Sequence, residues 1–252
     1  MRPSGTSPPV LLAVALGSGD GRAQAEIRSL AAGVSALAPG IGVRAAFLQH
    51  ARPSLARALA AAGPAAAVVP LLLAGGYHLS GDIVPLAGQA GLPVAGPLGP
   101  DPRLVTALAD RLAEAGAPGG APVVLAAAGS ADPLARAAAS RQAAMLAAHR
   151  RAPVLAAFAA AGHPTVTEAV AILAGPAAGP VAVAAYLLAP GQFHDRLAVT
   201  GASWVSAPLA GHPALPALVL DRYLAAVGQT GPGNRSHDLT SVACLPCPGL
   251  AP

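Results

Sequence analysis

Lysine is absent: all 15 basic residues are arginine. A Walker A phosphate loop, which needs its lysine, is therefore excluded. Charge of either sign is sparse, at 10% of the 252 residues, against 54% hydrophobic. That balance excludes a disordered chain over most of the length, and also a Glu/Lys-rich coiled coil. Aromatic residues make up only 3%. With few rings to stack on bases, and arginines scattered rather than striped, no nucleic-acid partner is expected despite a net charge of +4. Two cysteines, Cys244 and Cys247, stand near the C-terminus, so no disulfide framework holds the fold. No uninterrupted run of about 18 apolar residues occurs, so no membrane span is expected. Arg2, the apolar stretch from Val10 to Leu16, and Ala23-Gln24-Ala25 loosely imitate a signal peptide. The apolar stretch is at the short limit and recurs deep inside the chain, so a cytoplasmic protein is expected.

What is present is a repeat, at an offset of about 111 residues. Ala15-Leu16-Gly17-Ser18-Gly19-Asp20 matches Ala127-Ala128-Gly129-Ser130-Ala131-Asp132. Phe47 through Pro53 matches Phe158 through Pro164. Leu71 through His78 matches Tyr186 through His194, with small length drift. Pro97 through Pro102 matches Pro208 through Pro213, and Asp110-Arg111-Leu112 matches Asp221-Arg222-Tyr223. Matched blocks in one order imply two copies of one domain, over residues 1–116 and 122–227, joined through a Gly/Pro-rich stretch.

Within each copy, short apolar runs alternate with helical patterns. Val10 to Leu16, Val43 to Leu48, Ala66 to Leu73 and Val94 to Leu98 read as strands. Asp20 is placed to cap a helix whose apolar stripe is Ile27, Leu30, Val34 and Leu37. Further helices are expected from Pro53 to Ala62 and from Asp101 to Ala115. Strands too apolar for a wet face predict an α/β fold: two tandem domains, each a parallel sheet with helices on both faces, related by internal pseudo-symmetry. Sites in such sheets gather at the carboxyl ends of strands, where Gly17, Ser18, Gly76, His78, Gly129, Ser130 and His194 fall.

Seven histidines are present. Most isolated histidines serve the surface or a cap, and His149 and His237 fit that. His78 and His194 follow matching strands behind glycine-containing loops, which predicts two imidazoles facing one cleft. Imidazole ligates first-row transition metals and takes up a proton near neutral pH.

At these residues the chain resembles the sirohydrochlorin chelatase family of the cobalt/iron type, in its long two-domain form. The resemblance lies in Pro70-Leu71-Leu72-Leu73-Ala74-Gly75-Gly76-Tyr77-His78-Leu79-Ser80-Gly81-Asp82-Ile83, in Pro97-Leu98-Gly99-Pro100-Asp101-Pro102, and in the second-half segments Ala126 to Asp132 and Tyr186 to Arg196. It covers about residues 8 to 227. It implies insertion of Fe2+ or Co2+ into an acidic tetrapyrrole, with Ni2+ also suited to imidazole, in siroheme or cobalamin synthesis and without an organic cofactor. It implies His78 as metal ligand and base, oriented by Asp82. His50 and His194 are further ligand candidates. Gly17, Ser18, Gly76, Gly129, Ser130 and Arg196 are candidates for gripping the substrate. The family's first strand ends in His-Gly-Ser-Arg-Asp, whereas this one ends Leu16-Gly17-Ser18-Gly19-Asp20. That departure leaves open a degenerate or repurposed protein that binds a metal or an acidic small molecule.

From about residue 228 the chain is rich in Gly, Pro, Asn and Ser, and reads as a flexible tail. Its Cys244-Leu245-Pro246-Cys247 is either incidental or a transient metal-handling pair, with His237 nearby.

Overall fold

The structure, a computed structural model, describes residues 10–175 and 179–228. The cysteine pair and His237 lie outside the described residues.

The first repeat runs β1 (Val10–Ala15), α1 (Gly21–Leu37), β2 (Gly42–Phe47), α2 (Leu55–Ala60) and β3 (Ala66–Pro70). A π-helical turn (His78–Ile83) then leads into α3 (Val84–Gln89), and α4 (Pro102–Glu114) closes the repeat. The second runs β4 (Val123–Gly129), α5 (Pro133–Arg150), β5 (Val154–Ala161), α6 (Val166–Leu173) and β6 (Ala182–Tyr186). It ends with α7 (Gln192–Asp195), a 3-10 turn (Arg196–Val199), β7 (Trp204–Val205) and α8 (Ala214–Gly228).

Two parallel sheets result, in the orders β2-β1-β3 and β5-β4-β6-β7. The expected strand from Val94 to Leu98 shrinks to one bridge between Val68 and Val94. Pro97 has no N–H to continue a ladder there. Asp20 caps α1 as the sequence predicts, accepting the Arg22 amide at 2.8 Å.

Both faces of each central strand are buried. Leu11, Ala13 and Ala15 of β1, with Val123, Leu125 and Ala127 of β4, point into one core shared by the two repeats. Val10, Leu12 and Val14 point the other way, against Leu55, Leu59 and Ile83. Val124 and Ala126 likewise point to Val166, Ala169 and Val170. This is the period-two alternation of a strand with apolar residues on both sides.

The shared core is filled by α1, α4, α5 and α8. The last helix of each repeat is exchanged. α4 packs on β6 and α5, while α8 packs on β3 and α1. Gly33 of α1 lets α8 approach, since a Cβ there would lie 2.9 Å from Pro216 Cγ.

Polar ties fasten the exchange. Arg222 of α8 donates to the Pro97 and Leu98 carbonyls at 2.9 Å each and to Asp101 at 3.0 Å. Buried Gln142 of α5 accepts the Asp101 amide and donates to its carbonyl. Arg103 pairs with Asp101 and with Asp221. A buried polar group costs stability unless bonded, so these residues make a specific rather than a greasy seam.

Candidate functional site

The same turn follows β1 and β4. Gly17 and Gly129 hold φ of +93° and +98°. A Cβ would lie 1.9 Å from the Gln49 carbonyl oxygen at the first and 2.4 Å from that of Ala161 at the second. Only glycine meets both demands. Ser18 and Ser130 then accept the amides of Asp20 and Asp132, each at 3.1 Å.

A cleft of about 540 Å3 opens at the carboxyl ends of the strands, between the repeats. That is ample for a small-molecule site. One wall is the loop after β3, from Leu71 to Leu79, with His78. The other is the end of β4 and the turn after it, Ala127 to Ala131, with Arg136 of α5. Leu16, Phe158, Leu188 and Phe193 make much of the lining apolar. The walls touch where Gly76 faces Ser130. A Cβ on Gly76 would meet the Ser130 hydroxyl at 3.3 Å, and its φ is +136°. Tyr186 of β6 crosses beneath and donates its hydroxyl proton to the Leu73 carbonyl at 2.9 Å. Burial, helped by the nearby Asp101 charge, pushes this phenol well above its ordinary value, so it stays a neutral donor.

His78 lines the cleft, and its Nδ1 lies 2.8 Å from the Asp82 carboxylate. The π-helical turn places these residues four apart on one face. A carboxylate only accepts, so Nδ1 carries the proton and the Nε2 lone pair is left for a metal or a proton. Tyr77 sets its ring edge-on to this imidazole, with centroids 5.9 Å apart.

The other expected histidines are placed differently. His194 donates from Nε2 to the Ser206 carbonyl at 3.0 Å and is not among the residues lining the cleft. The left-handed glycines Gly76 and Gly191, at φ of +136° and +146°, fix the register of the two loops. In that register His78 corresponds to Phe193, and His194 sits one residue further on. The expected pair of imidazoles facing one cleft is therefore corrected to one imidazole and one phenyl ring. His50 is exposed, at φ of +58°, in the loop after β2. Among the described residues no three His, Cys, Asp or Glu side chains converge to hold a metal ion.

Of the expected gripping residues, Gly76, Gly129 and Ser130 line the cleft, whereas Gly17, Ser18 and Arg196 do not. His212 is structural: its Nδ1 accepts the Ala214 amide at the start of α8, and its Nε2 donates to Asp110.

A family model described as CbiX matches residues 10–115 and again 122–226. The chain belongs to the CbiX family. Among solved structures, the CbiX-family chain is similar to SirB from Bacillus subtilis with Fe3+. The two share 25% identity over 88% of this chain and 97% of that one, with a TM-score of 0.74. The cobalt complex of the sirohydrochlorin chelatase SirB from Bacillus subtilis subspecies spizizenii has the same TM-score, at 22% identity over 89% and 97%. A CbiX described as the terminal enzyme for siroheme biosynthesis in denitrifying bacteria matches at 24% identity over 86% and 99%, with a TM-score of 0.64. The last two likenesses carry the fold. No curated protein sequence matches.

Two features of this CbiX-family site were missed in the sequence. Arg136 lies in the cleft wall, and repeat alignment could have flagged it as the charged counterpart of Gln24. Phe193 was hidden by the one-residue register shift. No described helix is long and apolar enough to cross a membrane.

Proposed function

We propose that the chain inserts Fe2+ or Co2+ into a sirohydrochlorin-like acidic tetrapyrrole. Ni2+ is chemically compatible with the same ligand, and no organic cofactor is needed. The observation that carries this reading is the His78–Asp82 pair at the edge of a largely apolar cleft. A tetrapyrrole brings its own four nitrogens, so the protein must deliver the metal, release it and accept pyrrole protons. One imidazole with a free Nε2 suits delivery and release better than a closed ligand cage. Once protonated, it is stabilised by the Asp82 carboxylate. The cleft's Leu and Phe side chains suit the flat face of a macrocycle.

Leu16 favours a second reading, in which the chain binds such a molecule without inserting metal. An isobutyl group neither ligates metal nor moves a proton. An anaerobic assay with sirohydrochlorin and each metal in turn separates the two. Insertion faster than the protein-free rate supports the chelatase. Tight tetrapyrrole binding with no acceleration supports the binding protein, and no binding overturns both. Leu16→His should raise Co2+ affinity roughly tenfold, since it adds an imidazole facing the cleft. An unchanged affinity would show that the end of β1 is not part of the metal path.

A further inference from the structure

Arg136 is a cation in the cleft wall, and among the described residues no acidic side chain answers its charge. Its Nη1 donates to the Ser130 carbonyl at 2.7 Å and the Ala131 carbonyl at 2.9 Å. Neither bond involves Nε or Nη2. The Nε–H and the Nη2 proton beside it form one edge of the guanidinium. Among the described residues this edge has no hydrogen-bond partner and Arg136 has no ion pair. That edge has the fork geometry that takes a carboxylate through two parallel bonds.

The surroundings are shaped for this side chain. Gly162 holds φ of +127°, and a Cβ there would lie 2.9 Å from Arg136 Cδ and 2.7 Å from the Phe158 ring. The missing Cβ leaves room for the arginine stem beside that ring. In the first repeat the counterpart, Gln24, makes the same backbone tie, donating to the Ser18 carbonyl at 2.9 Å, but carries no charge. Counted from the Gln49 and Ala161 carbonyls that pack on Gly17 and Gly129, His50 stands where Gly162 does. The anchoring is thus common to both repeats, and the positive charge is confined to the side of the cleft facing the His78 loop.

We infer that Arg136 is the specificity residue for the acidic periphery of the substrate. Its free edge holds a peripheral carboxylate while the apolar lining takes the ring, which orients the macrocycle toward His78. The inference rests on the chelatase reading and names a residue that reading does not require.

The test uses the full chain and metal-free sirohydrochlorin, titrated anaerobically by its absorbance. Arg136→Gln should weaken binding roughly 10–100-fold, the scale of a lost charge-assisted bidentate contact. Arg136→Lys should fall between, keeping the charge without the fork. Arg141→Gln, an exposed arginine on the same helix, should bind like the natural chain. The fully esterified tetrapyrrole should bind the natural chain and Arg136→Gln equally. Co2+ affinity without tetrapyrrole, and circular dichroism, should be unchanged in Arg136→Gln. If the natural chain binds sirohydrochlorin and Arg136→Gln binds it as tightly, the inference is overturned and the chelatase reading stands. If Arg136→Gln loses Co2+ affinity or helicity along with tetrapyrrole, Arg136 is structural and the inference is likewise overturned. If the natural chain does not bind sirohydrochlorin, the chelatase reading fails and the inference with it.

Discussion

The two repeats use one backbone for different chemistry. Gly17 and Gly129 hold nearly the same φ, and Ser18 and Ser130 close the same turn at the same distance. Gly76 and Gly191 open corresponding loops. At the side chains in and around the cleft the repeats part: Leu16 against Ala128, Gln24 against Arg136, His50 against Gly162, His78 against Phe193. What the backbone's geometry demands is kept in both copies. The charged and titratable side chains at the cleft differ between the copies. The cleft is built from the unlike halves, with the imidazole–carboxylate pair from the first repeat and the guanidinium from the second.

The sharpest way to break this division is His78→Ala. If the first repeat alone supplies the base, insertion should slow by about 10²–10⁴-fold. The fold should persist, because the His78 side chain is 44% exposed and carries little packing. Metal-insertion rates with circular dichroism as control read this directly. Phe193→Ala in the other repeat should leave the catalysed step within about tenfold, since a phenyl ring contributes packing and no proton transfer. Equal losses in both variants would mean that His78 acts through shape as well.

Next in size are the shared glycines. Gly17→Ala and Gly129→Ala should each destabilise by about 3–4 kcal/mol, combining left-handed strain with a carbonyl clash. Urea unfolding is the measurement. The expected result is two similar losses. A large loss at one site alone would show that the turns are alike in form but not in constraint.

Much of this was legible in the sequence. The repeat, the capped α1 and the doubly buried strands follow from spacing and composition, and the Gly-Ser turns fall where strand ends predict them. The exchange of α4 and α8 was not legible. A helix's apolar stripe says that it is covered, not by which repeat. The histidine pairing failed for a related reason. Matching letters gave His78 and His194 as partners, but register is set by φ at Gly76 and Gly191, which letters do not carry. Arg136 is not legible from matched letters, because it sits where one copy changes charge.

The seam offers a smaller contrast. Asp101 and His212 occupy matching places, and each caps the helix that follows, Asp101 through the Arg103 amide and His212 through the Ala214 amide. Asp101 also holds Arg103 and Arg222. Asp101→Ala should therefore cost about 2–3 kcal/mol and His212→Ala about 1 kcal/mol. Burial raises the Asp101 carboxyl, but the bonds from Arg103 and the charge of Arg222 outweigh it, and the group sits below its ordinary value. Its folded value is depressed, so its stabilisation is full above the unfolded value, near about pH 4, and is lost as pH falls through the folded one. The gap between natural chain and Asp101→Ala should then narrow in acid. A constant gap would assign the loss to the cap and packing alone.

The smallest effect is expected where the repeats differ at the surface. Arg22, at the start of α1, bridges Asp20 and, at 2.9 Å, Asp195 on the short helix that carries Phe193. Its hydrogen bonds hold Asp20 below the ordinary carboxylate value. The corresponding residue of the second repeat is Leu134, 75% exposed, which makes no such tie. The bridge thus fastens one side of the cleft only. Arg22 and Asp195 are at least half exposed, and exposed ion pairs contribute little and fade with salt. Arg22→Ala should change tetrapyrrole affinity by less than about threefold at low ionic strength and not at all in high salt. Titration at two salt concentrations checks this. A large loss that persists in salt would mean that Phe193 must be held in place for the cleft to bind, making the asymmetry of the rim as consequential as that of the floor.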